Sequence, residues 1–589
     1  MHSRAIVAAL FLFAGMAFGQ GGVGAISGSA TDTSGAVVPG TVVTAINDET
    51  GFRRETTVGS AGEYSIVGLQ PGSYTLVAER SGFKKFTTKG LTLQVDQNAR
   101  IDVRLEVGVV SEVVEVSSRA AMLQTEQSSV GSVVDHQKIV EFPLNGRNFV
   151  QLGLLLPGVN TGDVGGVAGG GTSGGGISIS GLRPEQNSFL LDGTTNSDQY
   201  QNSLVIRPSV DAIEEFKIQT SNYSAEFGKG AGGQINVVTR GGTNDFHGTL
   251  FEFNRNNAVQ ARNLFDRNPS FRTSDGRFKA PPFNQNQFGL TLGGPVRAPH
   301  YNGKDRTFFF VNYEGYRLRR GNTTLTSVPT PEMKRGDFSS LLGAALGRDA
   351  EGSAVTRNAI YDALTSRLVG GVYVRTPFAS NIIPSSRFDP VALKAVNYAG
   401  LMPDPNIAGT RGANGNPVSN YFDGRTRASN YDLVSVRADH QFSSKDTVMA
   451  RYSLTDSNAF APNTFPGYGS QDNQRQMAGT IAYTHIVGAA AVNEFKFGYL
   501  RFAQYQAAEN TIAGRDIVKE LGVRGFTFAS TPGLQGAPNF SIGGFATFGD
   551  GDGPFRPRDN TFQFIDQFSF NRGRNFFKAG GEIRRTRMA

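Results

Sequence analysis

Ile177-Ser178-Ile179-Ser180-Gly181-Leu182-Arg183, Leu190-Leu191-Asp192-Gly193 and Gly232-Gly233-Gln234-Ile235-Asn236-Val237-Val238-Thr239-Arg240 punctuate the 177–242 stretch whose reading decides the fold. Asp192-Gly193 follows an apolar run and carries residue types that tolerate tight backbone reversal, so it reads as a turn after a strand. Gly228, Gly230, Gly232 and Gly233 lack a Cβ and permit close backbone packing ahead of a final strand, Gln234–Thr239. The same bias runs through the chain. It holds 74 Gly, and 18% of its residues are charged, against about 7% glycine and about 25% charged residues in an ordinary globular protein. A turn-rich, mainly β chain follows.

Downstream, residues 243–589 show strand-period alternation. Val448, Ala450, Tyr452 and Leu454 alternate with Met449, Arg451, Ser453 and Thr455. Phe577, Ala579, Gly581 and Ile583 alternate with Lys578, Gly580, Glu582 and Arg584. Phe562, Phe564, Phe568 and Phe570 alternate with Gln563, Gln567 and Ser569, with Asp566 breaking the apolar face, and Phe495, Phe497 and Tyr499 form a further run. A lipid-facing barrel strand needs apolar residues on one side and tolerates polar ones on the lumen side. A soluble sandwich produces the same alternation. Long polar stretches such as Thr323–Ser429 suit extracellular loops better than compact-domain connections. Trp is absent, so Tyr and Phe would have to form any aromatic girdle.

Upstream, residues 24–106 read as a β-sandwich. Short alternating runs (Tyr74, Leu76 and Ala78; Ile101, Val103 and Leu105 between Arg100, Asp102 and Arg104) are separated by turns such as Asp32-Thr33-Ser34-Gly35 and Pro71-Gly72. At the N-terminus, His2 and Arg4 precede a short apolar run, Ala5–Phe18, with Ala17-Phe18-Gly19 supplying small residues for cleavage. Residues 1–19 read as a secretory signal peptide.

The chemistry the chain could carry is narrow. There are no Cys and six His, which excludes disulfides, thiolate metal sites and cysteine nucleophiles. Gly165-Gly166 to Gly174-Gly175-Gly176 lacks the Gly-Lys-Ser/Thr of a phosphate cradle and reads as a loop. Asp550-Gly551-Asp552-Gly553 reads as an exposed loop, because EF-hand spacing puts Thr561 where a bidentate Glu belongs. Glu214-Glu215 reads as a solvated pair. The net charge of +7 is spread without a dense basic run, so it reads as solvated surface, and no nucleic acid, cofactor or catalytic residue is expected.

Ordered blocks then point to a family. Pro143-Leu144-Asn145-Gly146-Arg147-Asn148-Phe149 leads into Leu152–Pro157-Gly158-Val159. The Ile177 block, Asn187 and Leu190-Leu191-Asp192-Gly193 follow. Ala212–Ile218, Tyr223-Ser224-Ala225-Glu226-Phe227-Gly228 and Gly232–Arg240 complete the series. In this order they resemble the plug of TonB-dependent outer-membrane receptors, in particular the Oar-like group. Gly28 with Thr31-Asp32, Gly35–Gly40, Gly62-Glu63-Tyr64, Leu69–Tyr74 and Gly82-Phe83 resemble the carboxypeptidase regulatory-like domain, a transthyretin-like sandwich that is an accessory module rather than a peptidase. None of the six His lies in that domain, whereas a zinc peptidase needs His and carboxylate ligands.

The resemblance implies a fold class, mainly β: a transthyretin-like β-sandwich (24–106), a connector (107–118), an α+β plug (119–242) and an incomplete transmembrane antiparallel β-barrel with long loops (243–589). In the connector, Glu112, Val113, Val114, Glu115, Val116 and Ser117 resemble the TonB box, which an energising partner would engage by strand addition. The pattern alone favours a last sandwich strand running on, and it is the position immediately before a plug that points to the TonB box. The plug positions carried over are Gly181, Arg183, Asn187, Asp192, Gly193, Gly228, Gly232, Gly233 and Asn236. The implied function is TonB-dependent import across the outer membrane, with the sandwich in the periplasm. The implied partners are TonB and its inner-membrane complex, outer-membrane lipid, and an extracellular ligand such as an oligosaccharide or peptide. An alternative is a surface-binding or adhesive protein without active transport. Plugged barrels close with about 22 strands, and about nine or ten are recognisable here at roughly ten residues per span. The chain is therefore expected to be a fragment that leaves an open sheet edge in lipid.

Overall fold

The computed structural model describes residues 24–95, 97–108, 113–117, 130–161, 176–262, 264, 275–398, 400–488, 491–525, 531, 533–551, 553–572 and 575–589. The signal-peptide segment 1–19, Glu112, most of the Gly165–Gly176 cluster and Asp552 lie outside the described residues. Among the described residues strands make up 51% and helix 11%, so the class is mainly β.

Residues 24–106 form the sandwich. One sheet orders Glu63–Leu69, Gly24–Asp32 and Asn98–Arg100, with Val103–Leu105 also pairing with Gly24–Asp32. The other orders Arg53–Thr57, Val42–Asn47, Gly72–Glu79, Lys85–Leu93 and Val113–Ser117. Inward positions of both sheets bury Ile26, Val43, Ile66, Tyr74, Leu76, Phe86, Leu93 and Leu105. The expected continuous alternation around Ile101–Leu105 is interrupted. The Asp102 carboxylate accepts from Ser29 N at 2.8 Å, and the chain forms two short strands instead of one.

The central unit is a five-stranded sheet ordered Val130–Asp135, Ile213–Ser221, Gln234–Thr239, Ser188–Leu191 and Thr194–Thr195. A helix, His136–Glu141, begins where the Asp135 side chain caps Lys138 N. Phe149 and Phe216 meet edge to face at 5.5 Å in its core. Asn187, fully buried, cross-links the unit: its Nδ2 donates to Ile177 O at 2.7 Å and its Oδ1 accepts from Gly233 N at 3.0 Å.

Residues 247–588 carry nine strands in one antiparallel sheet: His247–Asn256, Phe283–Pro295, Thr307–Gly321, Thr426–Gln441, Asp446–Ala461, Ser470–Gly488, Ala491–Ala508, Arg558–Arg572 and Asn575–Met588. Neighbours pair in sequence order, and among the described residues the two outer strands do not pair with each other. Polar members of the sequence alternation turn inward: Arg451, Ser453, Thr480, Gln563 and Gln567 are buried, while Tyr452, Ile481, Phe564, Phe568 and Ile583 are exposed on the convex face. No described helix is long and apolar enough to cross a membrane.

Long connections all emerge at one end of this sheet, and those at the other end, such as 296–306 and 442–445, are short. The long connections are not loose. Val328, Leu401, Tyr421, Phe465, Ile517, Leu521 and Phe548 form a core of their own, with Phe465 stacked on Phe548 at 5.0 Å. Asp550 belongs to this assembly rather than to an exposed loop: it accepts from Ala537 N at 2.6 Å and Asn510 Nδ2 at 2.8 Å. Burial pushes its carboxyl above the ordinary range.

The glycine cluster divides sharply. A Cβ on Gly230 would lie 2.5 Å from Gln186 O, on Gly232 2.4 Å from Asn187 Oδ1, and on Gly233 2.3 Å from Ile179 Cδ1. Gly228 departs from the expectation of close packing, because a Cβ there meets open space. Gly230→Ala should therefore destabilise the protein by about 1–3 kcal/mol, since a backbone carbonyl is the obstacle, whereas Gly228→Ala should stay within about 0.5 kcal/mol of the parent. Denaturant titration in detergent micelles, followed by Tyr fluorescence, compares the two.

Candidate functional site

Leu191 and Thr194 pair across a two-residue turn, Asp192-Gly193, with positive φ at both positions (50° and 77°). Positive φ at both central residues is the mark of the type I′ hairpin, which Asp-Gly favours. The tip of this hairpin presses into the concave face of the nine-stranded sheet. Thr194 Oγ1 meets Thr480 Oγ1 at 2.9 Å, and Thr195 N donates to Gln563 Oε1 at 2.8 Å. Gly498 makes room for it: a Cβ there would stand 2.9 Å from Thr194 Cγ2.

Asp192 is the chemical centre of this grip. It accepts from Thr239 N at 2.8 Å and from Arg451 Nε at 2.5 Å. Both side chains of the ion pair are sealed from solvent, at 3% and 0% exposure. Arg437 lies alongside. It donates to the Thr239 carbonyl and reaches Asp439 at 2.8 Å. Burial by itself would raise the Asp192 pKa, but the guanidiniums of Arg451 and Arg437 and the Thr239 hydrogen bonds outweigh it and hold the carboxyl below its ordinary range. Two carboxylates and two guanidiniums thus balance, with Asp192 and Arg451 sealed from solvent and Asp439 partly exposed at the margin, and such pairing is the condition under which buried charge is tolerated.

Further contacts fix the unit within the sheet. Arg147 pairs with Asp211 and lies over the Phe251 ring at 4.4 Å. Glu226 pairs with Lys578, and Gln199 N donates to Asp559 at 2.6 Å. At the long-loop end the turn after Asp198 presents Tyr200, which meets Phe555 at 5.0 Å. Elsewhere on the inner wall Tyr316 stacks on Tyr431 at 5.1 Å, with Arg207 5.7 Å from the Tyr431 ring. At the short-turn end the sandwich seals the structure. Arg54 Nη1 donates to Ser444 O at 2.8 Å, and burial brings the Arg54 pKa down to about 10. Glu215 is a correction to the solvated-pair reading: it is 6% exposed and accepts from Val95 N of the sandwich, while Glu214 faces Arg240 at 3.4 Å.

The carried-over positions are not one site. Asp192 and Gly193 form the gripped turn. Asn187, Gly232 and Gly233 form an internal cross-link some residues away, and Asn236 is buried in the strand between Leu190 and Lys217. Gly181 sits in a turn at φ 76°, Arg183 is exposed at the start of a short 3₁₀ turn, and Gly228 is open. Val113–Ser117 pairs in parallel with Lys85–Lys89, so this segment continues the sandwich sheet. Arg437, Arg451, Thr480, Gly498 and Gln563 went unnoticed as site residues. Alternation had placed Arg451 and Gln563 on a polar face, but nothing local linked them to Asp192.

A gripped insert inside a strand wall, with loops on one side and an accessory sandwich on the other, is the architecture that sequence comparison names. The family model for an outer membrane beta barrel domain matches residues 238–589. The chain belongs to this family. The TonB-dependent receptor plug domain matches residues 124–234, and the carboxypeptidase regulatory-like domain matches residues 25–106. The TonB-dependent transporter Oar of Myxococcus xanthus is 27% identical over 318 residues, 52% of this chain and 28% of that protein. Among solved structures, the outer membrane transporter YddB from Escherichia coli aligns with a TM-score of 0.45 at 13% identity, covering 77% of this chain and 48% of that one. The siderophore receptor PirA from Acinetobacter baumannii aligns at 0.42 and 13%, covering 79% and 49%. The chain spans about a quarter of the curated relative and about half of these structures. The protein is thus an outer-membrane barrel chain whose central unit is the plug, with the convex strand faces toward lipid.

Asp192→Asn should leave Arg451 and Arg437 under-compensated in the barrel wall and cost about 3–5 kcal/mol. The pH dependence has a definite sign. With a folded pKa below the unfolded value near 3.8, Asp192 contributes fully above that value, and the contribution drains as pH falls through the folded one. Denaturant midpoints of parent and D192N should therefore differ by a constant amount at neutral pH and converge below about pH 4.

Proposed function

We propose that the chain is the plug-bearing part of a TonB-dependent outer-membrane transporter, divided into sandwich 24–106, connector 107–118, plug 119–242 and barrel from 243. The single observation that carries this reading is the plug hairpin, held to the barrel through a charge-balanced buried cluster. Such a contact is strong while intact, yet it is made of discrete hydrogen bonds that can open as a set. Ligand would bind from the long-loop side, against Tyr200, Arg207 and Tyr316 on the plug apex and barrel wall. These residues suit a ligand with both apolar faces and hydrogen-bonding or anionic groups, and an oligosaccharide or peptide meets that description. The chain itself would perform no bond chemistry. Its step is a conformational one.

Coupling is assigned to Glu112–Ser117. Val113–Ser117 lies at the edge of the sandwich sheet, with Lys85–Leu93 on one side and no strand on the other among the described residues. An exposed strand edge is a template for strand addition by a partner. TonB, with its inner-membrane energising complex, would dock there and draw the segment away, carrying the movement into the plug. A second reading, surface binding without transport, gains support from the long loops, whose shared core makes a fixed display platform.

Deleting 112–117 should abolish energy-dependent accumulation of the cognate ligand while barrel insertion and surface binding persist. Continued accumulation would refute the coupling assignment. Because the chain has no Cys, Lys89→Cys with Ser117→Cys would introduce one disulfide between register partners. Uptake should fail when it is oxidised and return on reduction. Accumulation absent from the parent as well, with binding retained, would select the adhesive reading.

A further inference from the structure

The sandwich holds two bodies at once. Its buried Val95 is clamped by the plug: the Val95 N–H donates to the Glu215 carboxylate, and Lys217 Nζ donates to the Val95 carbonyl at 3.5 Å. Glu215 and Lys217 share one face of Ile213–Ser221, and each is 6% exposed. One backbone residue of the sandwich thus serves a buried carboxylate and a buried ammonium together. The same domain is seated on the barrel. Arg54 reaches Ser444 in the turn 442–445, Glu49 O accepts from Asn244 N at 3.0 Å, and Ala25 and Val67 pack on Val492.

The clamp stands at a decisive place on the plug. Glu215 is the register partner of Asp135, so Val95 lies at the foot of the plug edge formed by Val130–Asp135. A gap opening along that edge would end on the sandwich. Val113–Ser117 pairs with Lys85–Lys89, in the strand that ends at Leu93, just ahead of Val95. A pull that frees this segment therefore disturbs the strand behind the clamp.

The seat on the barrel is built to part. Inside the sandwich Ile26, Leu76 and Leu105 are sealed in an extensive apolar core, whereas the apolar cluster shared with the barrel is Ala25, Val67 and Val492. Arg54 is only 3% exposed, among the described residues no ion pair engages it, and its Nε has no hydrogen-bond partner. The Ser444 carbonyl and the Phe52 ring, 4.7 Å away, offset part of this burial. A buried guanidinium without a carboxylate regains hydration when it is released. The sandwich is accordingly fastened to the barrel less strongly than it is held together.

We propose that the sandwich is a latch: seated, it ties Ile213–Ser221 to the barrel, and the Val130–Asp135 edge of the plug opens only after the sandwich unseats. The purpose of the latch rests on the transporter reading, but its operation is measured with neither ligand nor TonB. A Cβ on Gly68 would stand 3.9 Å from Val492 Cβ, a disulfide separation, and the chain has no Cys of its own. The full chain carrying G68C/V492C is placed in phosphatidylcholine nanodiscs, and amide hydrogen exchange is followed by mass spectrometry with the disulfide oxidised and reduced. Both forms share the seated contacts, so the bond removes only the unseated state. Exchange in Val130–Asp135 and Ile213–Ser221 should slow at least about tenfold on oxidation and recover on reduction, with Ser188–Thr195 unchanged. G51C/D305C staples the seat at an independent point, where a Cβ on Gly51 would lie 3.1 Å from Asp305 Cγ. Both glycines have positive φ, so folding is checked by exchange of the sandwich core, which should match the parent under reduction. Equal exchange at the Val130–Asp135 edge with the staples closed and open would overturn the proposal. So would slowing spread evenly over the plug, which would make the bond a general stabiliser. A staple response in a chain that accumulates nothing in cells would sustain the latch while removing the transporter reading.

Discussion

The Asp192 carboxylate is the constraint on which the arrangement of plug and barrel turns. It sits at a turn whose positive backbone angles an Asp-Gly pair accepts readily. From there it holds the end of the last plug strand through Thr239 and the barrel wall through Arg451. An ion pair this deeply buried gives little net stability compared with apolar packing of the same shape. What it supplies is position. An unpaired charge in that pocket would be costly, so the hairpin has one favourable seat, and the four strands around it must present Arg451, Thr480, Gly498 and Gln563 at matching heights.

The rest of the wall follows from the same inward demand. Each strand alternates between a lumen that must satisfy plug hydrogen bonds and an exterior that must face hydrocarbon. Buried Gln563 and Thr480 stand beside exposed Phe564 and Ile481 for that reason.

Much of this was legible in the sequence, for a local reason in each case. Period-two alternation identified the faces of Asp446–Ala461 and Arg558–Arg572, because side chains on a strand alternate whatever they contact. Asp192-Gly193 announced a turn, because two adjacent residues determine its backbone preference. The fold class and the order of domains followed from ordered blocks of this kind. What could not be read was partnership across the chain. Arg451 and Asp192 lie 259 positions apart, and no spacing rule connects them. Glu215 looked solvated beside Glu214 because the sandwich residue above it, Val95, is equally remote. The long-loop core was missed because its apolar members, from Val328 to Phe548, are dispersed among polar residues and meet only when three loops fold together. Gly228 resembled its neighbours in type, but its surroundings and not its identity decide whether a Cβ fits.

The sheet order also constrains how the plug could respond to a pull on the connector. Force entering at Ser117 reaches Val130–Asp135 first. That strand pairs with Ile213–Ser221 on one side and with nothing on the other among the described residues. Asp192 lies beyond Ile213–Ser221 and Gln234–Thr239, at the far side of the same sheet. An outer strand can leave a sheet by giving up one ladder of hydrogen bonds, each of modest net value in water. Opening the Asp192 cluster would instead expose two buried guanidiniums together, at several times that cost. Under the proposed coupling, therefore, the near side of the plug yields while the hairpin stays seated, and a passage would form between the Val130–Asp135 edge and the barrel wall rather than by expulsion of the whole plug. The sealed Asp192–Arg451 pair then acts as the fixed point against which the mobile half is drawn, consistent with its placement at maximum sheet distance from the connector.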